Sequence, residues 1–366
     1  MYNIMKKYLI IAAAALVASA ACSKVEKAPV EDSLINFNVV NYIQKTKANT
    51  AFDTAETFGT FAWWTPTDWA TNGQTNIFMD NQEVAFDGTN WAPTLPYYWT
   101  KTGKITFASY APYSAAAGSN GFTVLPTHSQ TDGFFFDDYT IVATTDVDLM
   151  YANIVTDQTE NINPATYGSI SGVAEGVPTL FHHALTQVAF VFRAAQNTNP
   201  NVIDQQIVLN EVKIINIKNA GDFTQNAASQ WASQTGAEEY EINAASNAIT
   251  MLYTDTDAHV PSTVSRILLP QELASTGTQQ SIYLSYTIRT KYKDTTDFAD
   301  EVVTSTVPLY YDNTAIGGDA LTNWGINESI LYTITIYPYS DDRILFDPAV
   351  VDWIPVEGAI DIKNVD

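Results

Sequence analysis

Cys22 is the only cysteine in the chain, so no intrachain disulfide and no cysteine-based zinc cluster can form. Basic residues are scarce: 17 Lys and Arg stand against 40 Asp and Glu, leaving a formal net charge of −23. Nucleic-acid phosphates and anionic lipid repel a chain this acidic, so DNA, RNA and polybasic membrane docking are poor readings of it. Beyond the first 22 residues no apolar run reaches the roughly 18 residues of a membrane-spanning helix. Catalytic signatures are missing as well. Gly168-Ser169-Ile170-Ser171-Gly172 has the wrong spacing for a nucleophile elbow, and there is no His-Glu-x-x-His and no phosphate-binding glycine loop. No cofactor is expected, and an enzyme is the lowest-ranked reading. A glycosidase's carboxylate pair is distant in sequence, and 40 acids make any chance pair uninformative.

What remains is rich in strand formers. The 366 residues suggest two domains at about 100–200 residues each. Hydrophobic residues make up 46 % and aromatics 12 %, a composition that builds a core from pleated, half-buried surfaces. Period-two alternation dominates. Ile35, Phe37 and Val39 alternate with Asn36 and Asn38; Ile282, Leu284, Tyr286 and Ile288 share one face of 281–292; Ile330, Tyr332, Ile334 and Ile336 share one face of 330–337. Turn signals punctuate these runs at Asn72-Gly73, Asp87-Gly88, Asp132-Gly133 and Gly317-Gly318. An all-β architecture of antiparallel sandwiches follows, divided near residues 172–178, where a stretch rich in Asn, Gly, Ser and Thr gives way to a new apolar run. Residues 1–21 read as a secretory signal peptide, with Lys6 and Lys7 before an apolar segment and small residues before Cys22. The cysteine directly after that segment resembles a bacterial lipoprotein signal, in which Cys22 carries the lipid. An ordinary signal peptide with an incidental cysteine is the alternative. Any membrane attachment is then through lipid.

Several side-chain groups are weighed and set aside. His182 and His183 are adjacent, so a strand points them to opposite faces and one metal cannot easily take both. Asp146 and Asp148, or Asp255 and Asp257, lack the glycine and glutamate of a calcium loop and read as solvated acids. Trp63, Trp64, Trp69, Trp91 and Trp99 could form a sugar-stacking platform, but core packing is the commoner use. Two features point further. Lys45 and Lys47 lie between the first strand (34–43) and the next, a natural target for a basic-specific protease or else an ordinary exposed loop. The chain also ends in apolar segments, 343–353 and 358–362, and a strand at a free terminus can pair within its own sheet or with another molecule's open edge.

A set of short motifs carries a resemblance. They are Ile35-Asn36-Phe37, Phe58-Gly59-Thr60-Phe61-Ala62, Pro96-Tyr97-Tyr98-Trp99, residues 105–112, residues 148–152, Phe181-His182-His183-Ala184-Leu185, Leu268-Leu269-Pro270-Gln271 and residues 344–353. In order and spacing the chain resembles the Bacteroidales fimbrillin family, the subunits of type V pili and their fimbrillin-like surface relatives. The resemblance implies two tandem transthyretin-like antiparallel β-sandwich domains, 48–178 and 179–366, after a signal peptide (1–21) and a lipidated propeptide holding the first strand (22–47). It implies lipidation at Cys22, cleavage after Lys45 or Lys47 by a Lys/Arg-specific protease, and loss of a first strand whose Ile35, Phe37, Val39 and Ile43 fill a groove. Lysine stands where many members carry arginine. A neighbouring subunit's C-terminal strand would then fill the groove, here with Phe346, Val350, Trp353 and Ile360 as anchors. The implied partners are other subunits joined head to tail, the maturation protease, a host or bacterial surface ligand, and the outer membrane through lipid before cleavage. The alternatives are a tip adhesin or a glycan-binding surface lipoprotein that does not polymerise.

Overall fold

A computed structural model of the chain describes residues 33–42, 49–142, 146–160, 176–195, 197–252, 259, 261, 265–312, 320–338 and 344–351. From Ile35 onward these form one compact unit, and strands dominate it. The first are β1 (Phe37–Tyr42), β2 (Asn49–Ala51), β3 (Phe58–Thr65), β4 (Asn76–Phe86), β5 (Trp91–Pro93) and β6 (Lys104–Ala111). Then come β7 (Thr127–Ser129), β8 (Gly133–Thr140), β9 (Met150–Ala152), β10 (Val155–Gln158) and β11 (Val177–His183). The chain continues through β12 (Thr186–Ala194), β13 (Val202–Ile217), β14 (Ala220–Thr224), β15 (Trp231–Thr235), β16 (Glu238–Asn243), β17 (Ile249–Leu252) and β18 (Ser265–Leu268). It ends with β19 (Gln271–Glu272), β20 (Ser281–Tyr292), β21 (Ala299–Pro308), β22 (Tyr311–Asp312), β23 (Ala320–Leu321), β24 (Asn323–Trp324), β25 (Ser329–Ile336) and β26 (Ile344–Val351). A short α-helix, α1 (Trp69–Asn72), is capped by the Asp68 side chain, which accepts from Thr71 N–H at 2.9 Å.

The first sheet closes on itself. Its pairing order is β6-β3-β4-β5-β1-β11-β9, and β9 pairs back onto β6 through Tyr110↔Tyr151 and Ala111↔Met150. Closure removes the free edges that an open sheet would present. Ile35, Phe37, Phe58, Trp91, Phe107 and Phe181 are among the side chains that fill its interior. β3 and β6 are buried on both faces, and the period-two rule explains how. Phe58 and Ala62 of β3, with Ile105 and Phe107 of β6, point into this interior. Trp63 of β3, with Ala108 and Tyr110 of β6, belongs instead to a second and larger core.

That larger core is shared with the rest of the molecule. A sheet of order β18-β12-β25-β26 supplies Val188, Phe190, Ile330 and Tyr332, and a sheet of order β16-β13-β20-β21 supplies Ile207, Ile214, Leu284 and Tyr286. A third sheet, β15-β14-β8-β7, joins residues 127–140 to residues 220–235 by backbone hydrogen bonds. Those bonds cross the division near residue 178 expected from the sequence. All-β architecture is observed as expected, but not purely antiparallel pairing. β1 runs parallel to β11, and β12 runs parallel to β25. Both pairs join strands more than a hundred residues apart, and crossovers of that length can return a strand in either sense.

The five tryptophans grouped in the sequence are core-packing residues. Trp63, Trp69, Trp91 and Trp99 are buried, and Trp64 is half-buried against the barrel interior. None forms an exposed platform. His128, on β7, sits between the Trp63 and Phe134 rings at centroid distances of 5.1 and 5.0 Å. Burial pushes its imidazole down to about 4. A histidine whose folded-state value lies below its unfolded value binds fewer protons when folded, so stability is lost as pH falls from about 6.5 towards 4. At 1.36 kcal/mol per unit the loss is on the order of 3 kcal/mol. Chemical denaturation of wild type and His128→Gln across that range should show the extra loss in wild type only; parallel profiles would contradict it.

Candidate functional site

The candidate site is the slot that β1 occupies. Alternation in Ile35-Asn36-Phe37-Asn38-Val39 sets every second side chain inward, and Ile35, Phe37 and Val39 are 1 %, 3 % and 8 % exposed. Phe37 packs edge-on against Phe58 (5.5 Å) and Phe107 (5.6 Å), the geometry aromatic quadrupoles favour. Phe52, Trp91 and Phe181 lie against Phe58 and complete the aromatic lining. Burying these three side chains is worth about 5–9 kcal/mol in all, at roughly 1.5–3 kcal/mol each.

Backbone pairing holds β1 on both sides. On one side it runs parallel to β11 over Phe37↔Val177 to Asn41↔Phe181, and Val177 N–H donates to Asn36 O at 2.7 Å just before the ladder starts. Gly176 makes that approach possible. Its φ is +146°, and a Cβ there would stand 2.9 Å from the Phe37 carbonyl carbon, so a side chain at 176 would push the strands apart. On the other side β1 pairs with β2 over Val40↔Ala51 to Tyr42↔Asn49 and touches β5 at Phe37↔Trp91, while Ile35 N–H donates to Tyr97 O at 2.9 Å. β1 is thus an interior strand of the ring, not an edge strand.

β11 is anchored independently of β1. The Asp148 carboxylate lies 2.8 and 3.0 Å from His183 Nδ1, and His183 N–H donates to Asn327 Oδ1 at 3.2 Å. Next to it, His182 stacks on Tyr151 at 5.7 Å. Burial first, then the His183 charge, pushes the His182 imidazole below its ordinary value. The two histidines therefore serve different neighbours, as expected of adjacent strand residues. Asp146 pairs with Arg266 at 3.0 Å, and burial raises its carboxyl despite that partner. No cluster that could hold a metal ion occurs among the described residues.

The structure brings together Ile35, Phe37 and Val39. Cys22, Ile43, Lys45, Lys47, Trp353 and Ile360 lie outside the described residues, as do Asp255 and Asp257. Lys45 and Lys47 fall in the six-residue connection, 43–48, between Tyr42 and Asn49, which face each other across the β1–β2 pair. Phe346 and Val350 lie on β26, far in topology from the slot. β26 is the end strand of its sheet, pairs with β25 from Ser329↔Val351 to Ile336↔Ile344, and leaves Val350 43 % exposed. Sequence reasoning missed Phe52, Gly176 and Phe181 as slot residues. Only the glycine directly before an apolar alternating run offered a signal.

Comparison with known proteins bears on this arrangement. The family model described as Fimbrillin-like matches residues 46–353. None of the curated proteins matches. Among solved structures, a fimbrial protein from Bacteroides vulgatus ATCC 8482 is 18 % identical, with 88 % of this chain and 99 % of that one covered at a TM-score of 0.62, a likeness of fold. A fimbrilin from Porphyromonas gingivalis W83 is 13 % identical, with 89 % and 99 % covered at a TM-score of 0.42. With most of its length matched by the family model, this chain belongs to the fimbrillin-like family.

Proposed function

We propose that the chain is a fimbrial subunit of the cell surface whose first strand is a removable plug. One observation carries the reading: β1 is an interior strand of a closed ring, held by three buried apolar side chains and paired on both sides, yet it precedes the 43–48 connection that contains Lys45 and Lys47. Family membership and the Bacteroides vulgatus fimbrial fold support it. In this reading the precursor is exported with residues 1–21 as signal peptide and is lipidated at Cys22. A Lys/Arg-specific protease then cuts after Lys45 or Lys47, and the propeptide, 22–47, leaves with β1.

Departure of β1 opens the ring between β11 on one side and β2 and β5 on the other. The slot then exposes aromatic core and a row of unpaired backbone groups, both costly in water. A second subunit's C-terminal segment, drawn from 344–362, relieves both at once. Main-chain bonds supply the pairing, and alternate side chains in the vacated pockets set the register. Donor segment and slot are different surfaces, so the contact is head to tail and does not close, which yields a fibre. The uncut chain cannot be entered this way, because its own strand covers the slot.

β26 favours the second reading, a tip subunit or a surface lipoprotein that does not polymerise. Its residues are zipped to β25 and are not free to donate while that pairing lasts. Within the polymer reading, either β26 unzips or the chain beyond Val351, with Trp353 and Ile360, does the donating.

Digestion of the lipid-free precursor with a Lys-specific protease should cut cleanly after Lys45 or Lys47, read by mass spectrometry. The product, run unboiled on a denaturing gel, should form a ladder that a chain ending at Val351 does not form if the tail donates. A clean cut with no ladder would contradict polymerisation and leave the tip reading; resistance at both lysines would contradict the plug. In the precursor, Phe37→Ala should cost about 3–5 kcal/mol in denaturant unfolding, as large-to-small changes at fully packed aromatic positions do, and should speed loss of the cut propeptide. An unchanged unfolding midpoint would contradict the burial argument.

A further inference from the structure

Away from the first-strand slot, a cleft of about 760 Å³ lies between β15 and the two-stranded β19–β24 ribbon. Its volume falls within the roughly 300–1,000 Å³ typical of small-molecule sites. None of its lining residues belongs to the barrel interior. β15 ends its sheet, and residues 228–234 run along one wall.

The walls specify the ligand chemistry by what they carry. Lys218 and Glu272 are the two charged side chains lining the cleft, and they cancel, so neither an anion nor a cation is favoured there. The polar surface is otherwise amide and hydroxyl: Gln230, Gln234, Gln271, Asn323 and Thr322 line it. Three of these amides are held in place by the backbone. Gln230 Nε2 donates to Gln225 O at 2.8 Å, Gln271 Nε2 donates to Leu269 O at 3.1 Å, and Gln234 Nε2 donates to Pro270 O. Fixing each NH₂ aims the paired carbonyl oxygen at a defined point. The amides of Gln230 and Gln234 reach the cleft already oriented, at no further entropy cost on binding. The Asn323 side chain, exposed and making no hydrogen bond among the described residues, adds both a donor and an acceptor. Trp231, Leu273 and Ile326 supply apolar surface beneath them.

An extended peptide is the less suitable occupant. Adding a strand to β15 needs a regular edge, and this one is broken. Ser233 has a left-handed φ of 51°, and the β14–β15 register shifts between Ala220 and Asp222. A bulge of this kind ends pairing and turns the edge away. Small, neutral, rich in hydroxyls and with an apolar face is the description that fits. We infer that the cleft binds a neutral sugar unit of a glycan, with Gln230, Gln234 and Asn323 pairing its hydroxyl groups. The cleft shares no residue with the slot, so sugar binding and strand exchange are separable.

Saturation-transfer NMR on the full lipid-free chain tests this with lactose, maltotriose, cellotriose and chitotriose as neutral probes. Sialyllactose and an end-capped threonine–valine hexapeptide serve as the charged and peptide probes. At least one neutral sugar should bind saturably, and Asn323→Ala and Gln234→Ala should each weaken it five-fold or more. Asn323 is exposed, so its variant should melt with wild type; that keeps the test valid if Gln234→Ala is destabilised. Binding that survives both substitutions would overturn the inference. So would preference for sialyllactose or the peptide, or no saturable binding by any of the four neutral sugars.

Discussion

Everything in the barrel depends on one strand keeping its place. A seven-strand ring has no edge, and it stays a ring only while β1 bridges β11 to β2 and β5. The three side chains that hold β1 are also what makes its loss consequential. The same 5–9 kcal/mol that keeps the slot filled becomes, once the strand has gone, the driving force for filling it with something else. In the proposed reading, a covalent cut in the 43–48 connection turns replacement of β1 from an intramolecular competition into an intermolecular one, because the tethered strand competes at high effective concentration and the cut one does not.

The walls around the slot are held by contacts that do not involve β1. β3 and β6 carry side chains for both cores, so the barrel wall opposite the slot is also part of the large shared core. β11, the wall beside the slot, is held at its far end by the Asp148–His183 contact and by Asn327. The sheet that joins 127–140 to 220–235 ties the two halves together by backbone bonds. In the proposed reading, opening the ring exposes a preformed groove with its pockets in place. A preformed groove sets the register of an incoming strand by where its side chains fit.

Much of this was legible in the residues. The alternation of Ile35, Phe37 and Val39 pointed to a strand with one buried face, and the structure buries that face. Alternation in 281–292 and 330–337 likewise marked β20 and β25. What could not be read was pairing. Periodicity says which face is inward but nothing about the neighbour, so the parallel partnerships of β1 with β11 and β12 with β25 had no local signature. The apolar end of the chain illustrates the same limit: residues 344–351 are mostly apolar, yet they form the end strand of a sheet with Leu345 and Val350 exposed. The polar cleft was invisible for a different reason. Lys218, Gln234, Glu272 and Asn323 are spread over a hundred residues, and uncharged amides form no recognisable motif until the fold collects them.

The plug itself is tested most directly by hydrogen exchange at the β11 amides that face β1, those of Val177, Thr179 and Phe181. In the uncut precursor these amides should be strongly protected. After Lys-specific cleavage and removal of the propeptide they should exchange freely, and a synthetic peptide of residues 344–366 should restore their protection. If they stay protected once β1 has gone, or if the peptide leaves them open, the slot is not the acceptor of a replacement strand.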